Sequence, residues 1–213
     1  KPYVEGVKAI LNIAKQFDDL EFVDLGGGFG IPYEKLNDQP RLDMVELGKQ
    51  LDEVFEQFVK DYGKEITFKI EPGRYVSAEC GVLLGTVTAV KHNGEDKYIG
   101  TDIGFNVLQR PVMYDSHHDI EVYNDSDNTE DVTVVGNICE SGDILAKHRI
   151  CPEMHVGDTM AMLDAGAYGY CMASNYNNRL RPAEVLIREN GEAVLVRERD
   201  ELEDLTRHMK SIK

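Results

Sequence analysis

The sequence predicts an α/β segment followed by a mostly β segment. The main evidence for this fold class is the spacing of apolar residues. Between residues 2 and 78, helical spacing of three to four residues alternates with short strand-like runs, in the order helix, strand, helix, strand. From residue 79 onward, short runs rich in β-branched residues are separated by Gly, Asn and Asp. This change of pattern predicts a domain boundary between residues 78 and 79.

The first domain is predicted to contain two helices and two strands. Apolar residues recur on one helical face from Val4 to Phe17 and again from Leu47 to Tyr62, and each stripe indicates a helix that buries one side. Two short apolar runs end in sharp turns and indicate strands. In chain order, the predicted elements are a helix at 2–17, a strand at 21–25, a helix at 47–62 and a strand at 66–70.

The second domain is predicted to be mostly β. Its strands are expected at 82–91, 97–102, 132–135, 144–150, 159–163, 183–188 and 193–197. Asn190-Gly191 indicates a hairpin turn because both residues tolerate positive φ. Residues 124–131 are acidic and predict a solvated loop, and the charged tail at 200–213 predicts a frayed helix or disorder.

The composition limits the classes of partner. Lys and Arg total 23 and Asp and Glu total 39, so the formal net charge of −16 argues against nucleic acid or an anionic membrane. The chain has no apolar run of about 18 residues and no signal-peptide pattern, which predicts a cytoplasmic protein. Its 4 cysteines form no CxxC pair and are predicted to be reduced. Because the chain begins without Met, directly in a helical pattern, we expect it to be a piece of a longer protein.

Two motifs follow the predicted strands of the first domain, where α/β folds gather ligand-binding residues. Gly26-Gly27-Gly28-Phe29-Gly30 lets backbone N–H groups approach a phosphate, although a tight turn explains it equally well. It departs from the GxGxxG dinucleotide fingerprint because position 31 is Ile. Glu71-Pro72-Gly73-Arg74 offers a carboxylate for a cationic ring nitrogen and a guanidinium for an anion. Alone it is more simply a surface ion pair, but the two motifs together favour a ligand site.

Cys139-Glu140-Ser141-Gly142-Asp143 concentrates reactive groups directly after an apolar run. A thiol acts as a general acid when its pKa lies near neutrality, and a neighbouring carboxylate can receive a substrate ammonium. The alternative is an ordinary turn in which the Cys is buried as a small apolar residue.

Other segments contain groups suited to a cofactor or a substrate. In Asp164-Ala165-Gly166-Ala167-Tyr168-Gly169-Tyr170, small residues allow a phenol ring to lie against a cofactor, while core packing of either Tyr is an equal alternative. Arg110 and Tyr114 together can hold a substrate carboxylate. The histidines lack metal-ligand spacing, so no metal site is predicted. The remaining cysteines, Cys80, Cys151 and Cys171, are predicted to be structural.

A further motif is Met172-Ala173-Ser174-Asn175-Tyr176-Asn177. In the order and spacing of all these motifs, nearly the whole chain resembles the diaminopimelate decarboxylases. That family belongs to the alanine racemase and ornithine decarboxylase group, the fold type III enzymes that use pyridoxal 5'-phosphate. The resemblance implies that residues 1–78 are the last strands and helices of a TIM-type (β/α)8 barrel, on the cofactor-phosphate side. Residues 79–213 would form a β-barrel or β-sandwich domain with the catalytic Cys and a short charged tail.

The resemblance also implies a role for each motif. The glycine run would bind the cofactor phosphate, and Glu71 would keep the pyridine nitrogen protonated, so that the ring is a better electron sink. Cys139 would be the catalytic acid that protonates the carbanion after carbon dioxide leaves. The residues implied to bind the cofactor are Gly27, Gly28, Glu71, Pro72, Gly73, Arg74 and Tyr168, with Gly28, Glu71 and Tyr168 converging around one ring.

The implied substrate is meso-2,6-diaminopimelate, which yields L-lysine and carbon dioxide. Ornithine and arginine decarboxylases usually carry Asp after the reactive Cys, whereas this chain has Glu140, whose longer side chain suits a substrate with an ammonium and a carboxylate at its far end. The residues implied to bind the substrate are Arg74, Arg110, Tyr114, Glu140 and Tyr168. The family forms homodimers with shared active sites, in which Cys139 and Glu140 would reach the partner's cofactor.

The chain departs from the family in one respect. The lysine that forms the Schiff base lies in the early part of the family's barrel, which this chain lacks, and Lys69 is a poor substitute although it lies near Glu71. We therefore expect this piece to be inactive alone and marginally stable, because apolar faces lack their partners. Two alternatives stay open, an arginine or ornithine type of decarboxylase and a non-catalytic regulatory homologue.

Overall fold

The computed structural model describes residues 2–211 of the chain. The chain divides into two compact units, Lys1–Ala78 and Glu79–Lys213, and each unit has a hydrophobic core of its own. None of the helices within the described range combines the length and apolar character that a membrane-spanning segment needs.

The first unit follows the predicted order of helices and strands. Its elements are α1 (Pro2–Ala14), β1 (Phe22–Asp24), α2 (Met44–Tyr62), β2 (Thr67–Lys69) and the short α3 (Gly73–Ser77). The strands β1 and β2 pair in parallel, with Val23 opposite Phe68. The first helix is shorter than predicted, because the chain turns after Ala14 and leaves Phe17 56% exposed.

Helix packing against β1 forms the core of the first unit. Val7 and Leu11 of α1 are buried together with Phe58 of α2 and with Val23 and Leu25, on or next to β1. Most of each stripe predicted from helical spacing therefore faces the interior, whereas Ile10 of the first stripe is exposed, as is Phe17.

The limits of α2 follow from its end residues. Asp43 caps its first turn by accepting a hydrogen bond from the backbone N–H of Glu46 at 2.9 Å. Gly63 ends the helix with φ of 83°, a left-handed conformation that glycine adopts without a steric cost.

The second unit is built around a six-stranded mixed sheet in the order β5-β8-β3-β4-β6-β7. The pair β4 and β6 is parallel and all other neighbours are antiparallel. The outer strands β5 and β7 also approach each other, so that the sheet is nearly closed. Its strands are β3 (Leu83–Asn93), β4 (Asp96–Thr101), β5 (Ile120–Tyr123), β6 (Thr129–Val135), β7 (Ile144–Pro152) and β8 (Thr159–Met162).

The strands predicted for this sheet are confirmed. The second unit also contains two elements that the sequence patterns did not predict. Strand β5 is only four residues long, and α4 (Arg110–Tyr114) is a five-residue helix, so neither is long enough to show a clear period. The acidic loop is also shorter than predicted, because β6 begins at Thr129.

Burial separates the cysteines of the second unit. Cys151 belongs to the core with Ile99 and Met160, and burial raises the pKa of its thiol to about 11. Cys80 and Cys171 are exposed, so core packing accounts for Cys151 alone among the three thiols predicted to be structural.

Strand direction places three connecting segments at one edge of the sheet. The strands β4 and β8 are both antiparallel to β3, and β6 is parallel to β4, so β4, β6 and β8 run in the same direction. The segments that follow them, 102–119, 136–143 and 163–183, therefore leave from the same edge. These segments contain every motif of the second domain that the sequence predicts to be functional.

A hairpin and a short helix complete the second unit. The strands β9 (Glu184–Ile187) and β10 (Ala193–Arg197) pair antiparallel, which confirms the turn predicted at Asn190-Gly191, although only Gly191 adopts positive φ. In the charged tail, α5 (Leu202–Thr206) begins with a capping box formed by Glu201 and Asp204. Residues 212 and 213 of the predicted tail lie outside the described residues.

Candidate functional site

In the first unit, the glycine run and the Glu71 turn form one structural element. The backbone N–H of Glu71 donates a hydrogen bond to the carbonyl of Gly26 at 2.8 Å, directly after the paired strands end. A Cβ atom added to Gly27 would lie 2.5 Å from the carbonyl oxygen of Glu71. Only glycine at position 27 permits this approach, because real Cβ atoms do not come so close to a backbone oxygen.

The glycine run presents backbone donors. Gly26 and Gly28 have φ of 66° and 98°, which bends the chain away from an extended path. The N–H of Gly26 donates to the carboxylate of Asp24 at 2.9 Å. Within residues 2–211, the N–H groups of Gly27 and Gly28 make no hydrogen bond to the protein, and Gly28 is exposed. Donors of this kind suit an anion.

The charged side chains of this element take different positions. Glu71 is exposed, whereas Arg74 is partly buried with its guanidinium 5.6 Å from the ring centre of Tyr33. Pro72 and Gly73 lie between them and lead into α3. The ammonium of Lys69 lies 3.6 Å from the centre of the Phe22 ring on the neighbouring strand.

A cavity of about 380 Å³ lies beside the glycine run. Its lining includes Tyr3, Gly28 and Leu42, so apolar side chains border one exposed backbone segment. Burial, and then the negative charge of Asp24, raise the pKa of the Tyr3 phenol above its ordinary value. The phenol is therefore a hydrogen-bond donor at neutral pH.

In the second unit, the buried Asp143 holds two of the connecting segments together. One carboxylate oxygen accepts from the backbone N–H of Phe105 at 2.7 Å, and the other accepts from that of Ile138 at 2.8 Å. Added Cβ atoms at Gly104 and Gly136 would lie 2.9 Å and 2.1 Å from this carboxylate. Burial raises the pKa of Asp143, and the two backbone hydrogen bonds oppose that rise. Asp143 is thus a structural residue within the Cys139 motif.

Cys139 and Glu140 lie on the outer side of the same loop and are both exposed. Glu140 accepts a hydrogen bond from the N–H of Gly142 at 3.2 Å and another from the phenol of Tyr176 at 3.3 Å. The Tyr176 ring packs 5.1 Å from that of Phe105. The sequence analysis named Tyr176 only as a member of a motif, because no spacing rule predicts its contact with a carboxylate 36 residues earlier.

Arg110 is held inside the second unit. Its residue surface is only 3% exposed, and its guanidinium nitrogens lie 2.8 Å from Nε2 of His118 and 3.2 Å from Oγ of Ser116. Tyr114, one turn further along α4, is 62% exposed. The two residues predicted to bind one carboxylate therefore differ sharply in burial.

The hydrogen bonds of His118 define its tautomer. Arginine has no acceptor, so Nε2 of His118 must accept from Arg110 and carry no proton. Nδ1 then carries the proton and donates to the carbonyl of Leu163 at 2.6 Å. Burial, followed by the charge of Arg110, lowers the pKa of His118 to about 4, despite the opposing bond to Leu163. The imidazole is therefore neutral near pH 7.

Tyr168 lies on a tightly folded loop after β8. It adopts φ of 58°, an unfavourable conformation for a bulky side chain, and is 40% exposed. A Cβ atom at Gly169 would lie 2.2 Å from the carbonyl oxygen of Ala165, whose N–H donates to Gly81 at 2.7 Å. This close packing maintains the strained backbone that exposes the phenol.

The predicted site residues therefore fall into two sets, one in each unit. The first set surrounds the ends of β1 and β2, and the second lies at one edge of the six-stranded sheet. The first set is Gly27, Gly28, Glu71, Pro72, Gly73 and Arg74, and the second is Arg110, Tyr114, Cys139, Glu140 and Tyr168. Their roles toward a ligand stay predictions, and His118, Asp143 and Tyr176 are supporting residues to which the sequence gave no individual role.

The first prediction concerns the contact between the glycine run and the Glu71 turn. Gly27→Ala should lower the free energy of unfolding by about 1–3 kcal/mol, because the new methyl group meets the Glu71 carbonyl oxygen. Gly30→Ala is the matched control, since a Cβ there meets nothing within 4 Å and its φ is not positive. Urea unfolding of both variants checks the prediction, and equal losses would contradict it.

The second prediction concerns His118 and pH. Its pKa of about 4 in the folded protein lies below the ordinary value of 6.5, so the unfolded chain binds the proton more tightly. The neutral imidazole therefore contributes its full stabilisation of the folded protein above pH 6.5. This contribution to the free energy of unfolding, about 3 kcal/mol in total, is lost as the pH falls toward 4. Urea unfolding at pH 7 and pH 4.5 should show a larger loss for the wild type than for His118→Asn. Equal losses in both proteins would count against a buried neutral His118.

Comparison with known proteins identifies the family. The family described as "Pyridoxal-dependent decarboxylase, C-terminal sheet domain" matches residues 33–166. The diaminopimelate decarboxylase of Methanothermobacter thermautotrophicus is 40% identical over 215 residues, which cover 97% of this chain and 49% of that protein. The chain thus spans about half the length of the curated relatives it matches.

Solved structures give the same assignment. The crystal structure of diaminopimelate decarboxylase from Methanocaldococcus jannaschii superposes with a TM-score of 0.88 and 33% identity, covering 100% of this chain and 49% of that one. The Helicobacter pylori enzyme, solved in complex with L-lysine, superposes with a TM-score of 0.83 and 33% identity, covering 97% of this chain and 50% of that one. Because the family match extends over most of the chain, this protein belongs to the pyridoxal-dependent decarboxylases and contains their C-terminal sheet domain.

Proposed function

We propose that the protein containing this chain decarboxylates meso-2,6-diaminopimelate to L-lysine and carbon dioxide with pyridoxal 5'-phosphate. The main support for this proposal is the direct contact of the glycine run with the Glu71 turn. This contact brings backbone donors suited to a phosphate close to a carboxylate suited to a ring nitrogen. Relatives named diaminopimelate decarboxylase match almost the whole chain and support the choice of substrate. The activity belongs to the complete protein, of which this chain supplies part.

The residues of the first unit fit the cofactor. A phosphate needs several N–H donors without obstructing side chains, and Gly27 and Gly28 supply donors that no protein group uses within residues 2–211. The exposed Glu71 is available for a protonated ring nitrogen, within the same turn as Pro72 and Gly73. Arg74 adds a positive charge for the phosphate or for the substrate carboxylate.

When bound, pyridoxal phosphate supplies an electron sink that stabilises the negative charge left by the departing carbon dioxide. Glu71 would accept a hydrogen bond from the ring nitrogen and so favour its protonated form. Tyr168 would donate its phenol proton toward cofactor or substrate, from a loop whose backbone is tightly packed at Gly169.

Cys139 supplies the proton that replaces the carboxyl group. The bond to the carboxyl carbon breaks, carbon dioxide leaves, and Sγ of Cys139 transfers its proton to the carbon that remains. The thiolate would then recover a proton from water. Atoms and charge balance, since each turnover consumes one proton from solvent.

The far end of the substrate carries an ammonium and a carboxylate. Glu140 receives the ammonium, held in place by Tyr176 and by the N–H of Gly142. Arg110 and Tyr114, which both lie on α4, bind the carboxylate. This division explains why a longer Glu rather than Asp follows the reactive thiol.

We also infer the surrounding architecture. The parallel strands β1 and β2, joined through α2, support the assignment of residues 1–78 to the last part of a TIM-type barrel. In a homodimer, Cys139 and Glu140 act on the cofactor of the partner subunit. The protein is proposed to be cytoplasmic.

The third prediction tests the substrate. The complete protein should have a kcat/KM for meso-diaminopimelate about 10⁴-fold above those for arginine and ornithine, because neither of these has a carboxylate at its far end to pair with the buried Arg110. Glu140→Asp should narrow this ratio, whereas Glu189→Asp, on an exposed turn, should not. Preference for arginine or ornithine would support the alternative decarboxylase, and cofactor binding without turnover would support a regulatory homologue.

The fourth prediction tests the proton donor. In the complete protein, Cys139→Ala should slow L-lysine formation by about 10²–10⁴-fold and leave the absorbance of the bound cofactor in place. Cys171→Ala removes another exposed thiol and is the matched control. Loss of cofactor from Cys139→Ala, or unchanged turnover, would remove the acid role.

A further inference from the structure

We propose that His118 is a positioning residue whose neutral imidazole fixes the Arg110 guanidinium for the distal carboxylate of the substrate. The inference rests on the proposed function, which assigns Arg110 to that carboxylate. It adds a determinant of substrate recognition that lies behind Arg110.

The imidazole is oriented by both of its nitrogens. Nε2 accepts from Arg110 at 2.8 Å, while the opposite Nδ1–H donates to the carbonyl of Leu163 at 2.6 Å. Rotation about the side chain would break at least one of these bonds, and both lie where water is excluded, since His118 is 1% exposed. Ser116 holds the second terminal nitrogen of the same guanidinium.

The frame behind His118 is part of the sheet. The N–H of Leu163 donates to the carbonyl of Asp119 at 2.9 Å, which continues the pairing of β5 with β8. Arg149 of β7 donates to the carbonyl of His118 at 3.0 Å. Because these hydrogen bonds hold the backbone around His118 in place, its imidazole keeps the Arg110 guanidinium in a fixed position.

His118 also links two predicted parts of the site. Leu163 is directly followed by Asp164, the first residue of the loop that carries Tyr168. The same imidazole therefore connects the start of α4, at Arg110, with the start of the Tyr168 loop.

Positioning requires an acceptor that is uncharged. Only the neutral imidazole has an acceptor nitrogen, because the imidazolium has two donors and would repel the guanidinium. Among the described residues, the charged or titratable groups near His118 include Arg110, His117, Arg149 and Asp119. Burial keeps the imidazole neutral at the pH of the assays below.

The experiment compares L-lysine with 1,5-diaminopentane, which has the same carbon chain and lacks only the distal carboxylate. Dissociation constants of both compounds are measured by calorimetry with the complete, cofactor-loaded protein at pH 7.5. The variants are His118→Asn, whose shorter amide keeps a donor toward Leu163 but has no acceptor at the position of Nε2, and His118→Gln, whose longer amide can place an acceptor there. His92→Asn, at an exposed histidine, is the matched control.

We expect His118→Asn to weaken binding of L-lysine by about 10- to 100-fold, the factor for a lost hydrogen bond to a charged group. Binding of 1,5-diaminopentane should change by less than about threefold, and His118→Gln and His92→Asn should stay near the wild type. Equal weakening of both compounds would show a general structural role and overturn the proposal, as would unchanged L-lysine binding in His118→Asn.

Nitrogen-15 spectra of the wild-type imidazoles give a second measurement that needs no variant. His118 should show the Nδ1–H tautomer, and L-lysine but not 1,5-diaminopentane should shift its Nε2 resonance. The opposite tautomer, or equal shifts with both compounds, would overturn the proposal even if His118→Asn does not fold. A wild-type protein that neither binds L-lysine nor acts on meso-diaminopimelate would instead refute the proposed function, and the inference with it.

Discussion

The buried carboxylate of Asp143 is the interaction on which the second unit's candidate site depends. It accepts backbone hydrogen bonds from Phe105 and Ile138, which lie in segments that follow different strands. Two neighbouring positions must be glycine, because Gly104 and Gly136 leave the space that the carboxylate fills. Since Asp143 joins these segments in the interior, Cys139 and Glu140 can remain exposed on a loop that is nevertheless held in place.

A corresponding constraint operates in the first unit, where backbone groups take the role of a carboxylate. The N–H of Glu71 bonds to Gly26, and Gly27 approaches the Glu71 carbonyl more closely than any side chain would allow. The parallel register of β1 and β2 brings these segments together, because parallel strands end at the same edge. Glycine is therefore required here for packing, and under the proposed function it also leaves the backbone accessible to an anion.

Local patterns were sufficient for most of the fold, and contacts between distant residues account for what they missed. Helical spacing and β-branched runs predicted α2 and the hairpin of β9 and β10, but α4 and β5 are too short to show a period. The motifs correctly indicated which segments hold reactive groups. They did not separate Asp143, a structural acid, from Glu140, because burial depends on Phe105 and on other residues far away in the sequence.

Under the proposed function, the same division between exposed and buried groups explains how a small edge of a sheet supports selective chemistry. Glu140 and Tyr114 face solvent, where a substrate can reach them, while Arg110 and His118 are almost fully buried. A guanidinium in the interior is costly unless its donors are satisfied, and a neutral imidazole satisfies one of them without adding charge. A second cation would repel Arg110, and a carboxylate in that place would compete with the substrate for the guanidinium. A neutral acceptor avoids both effects, so under the proposed function the burial that keeps it neutral contributes to recognition of the substrate.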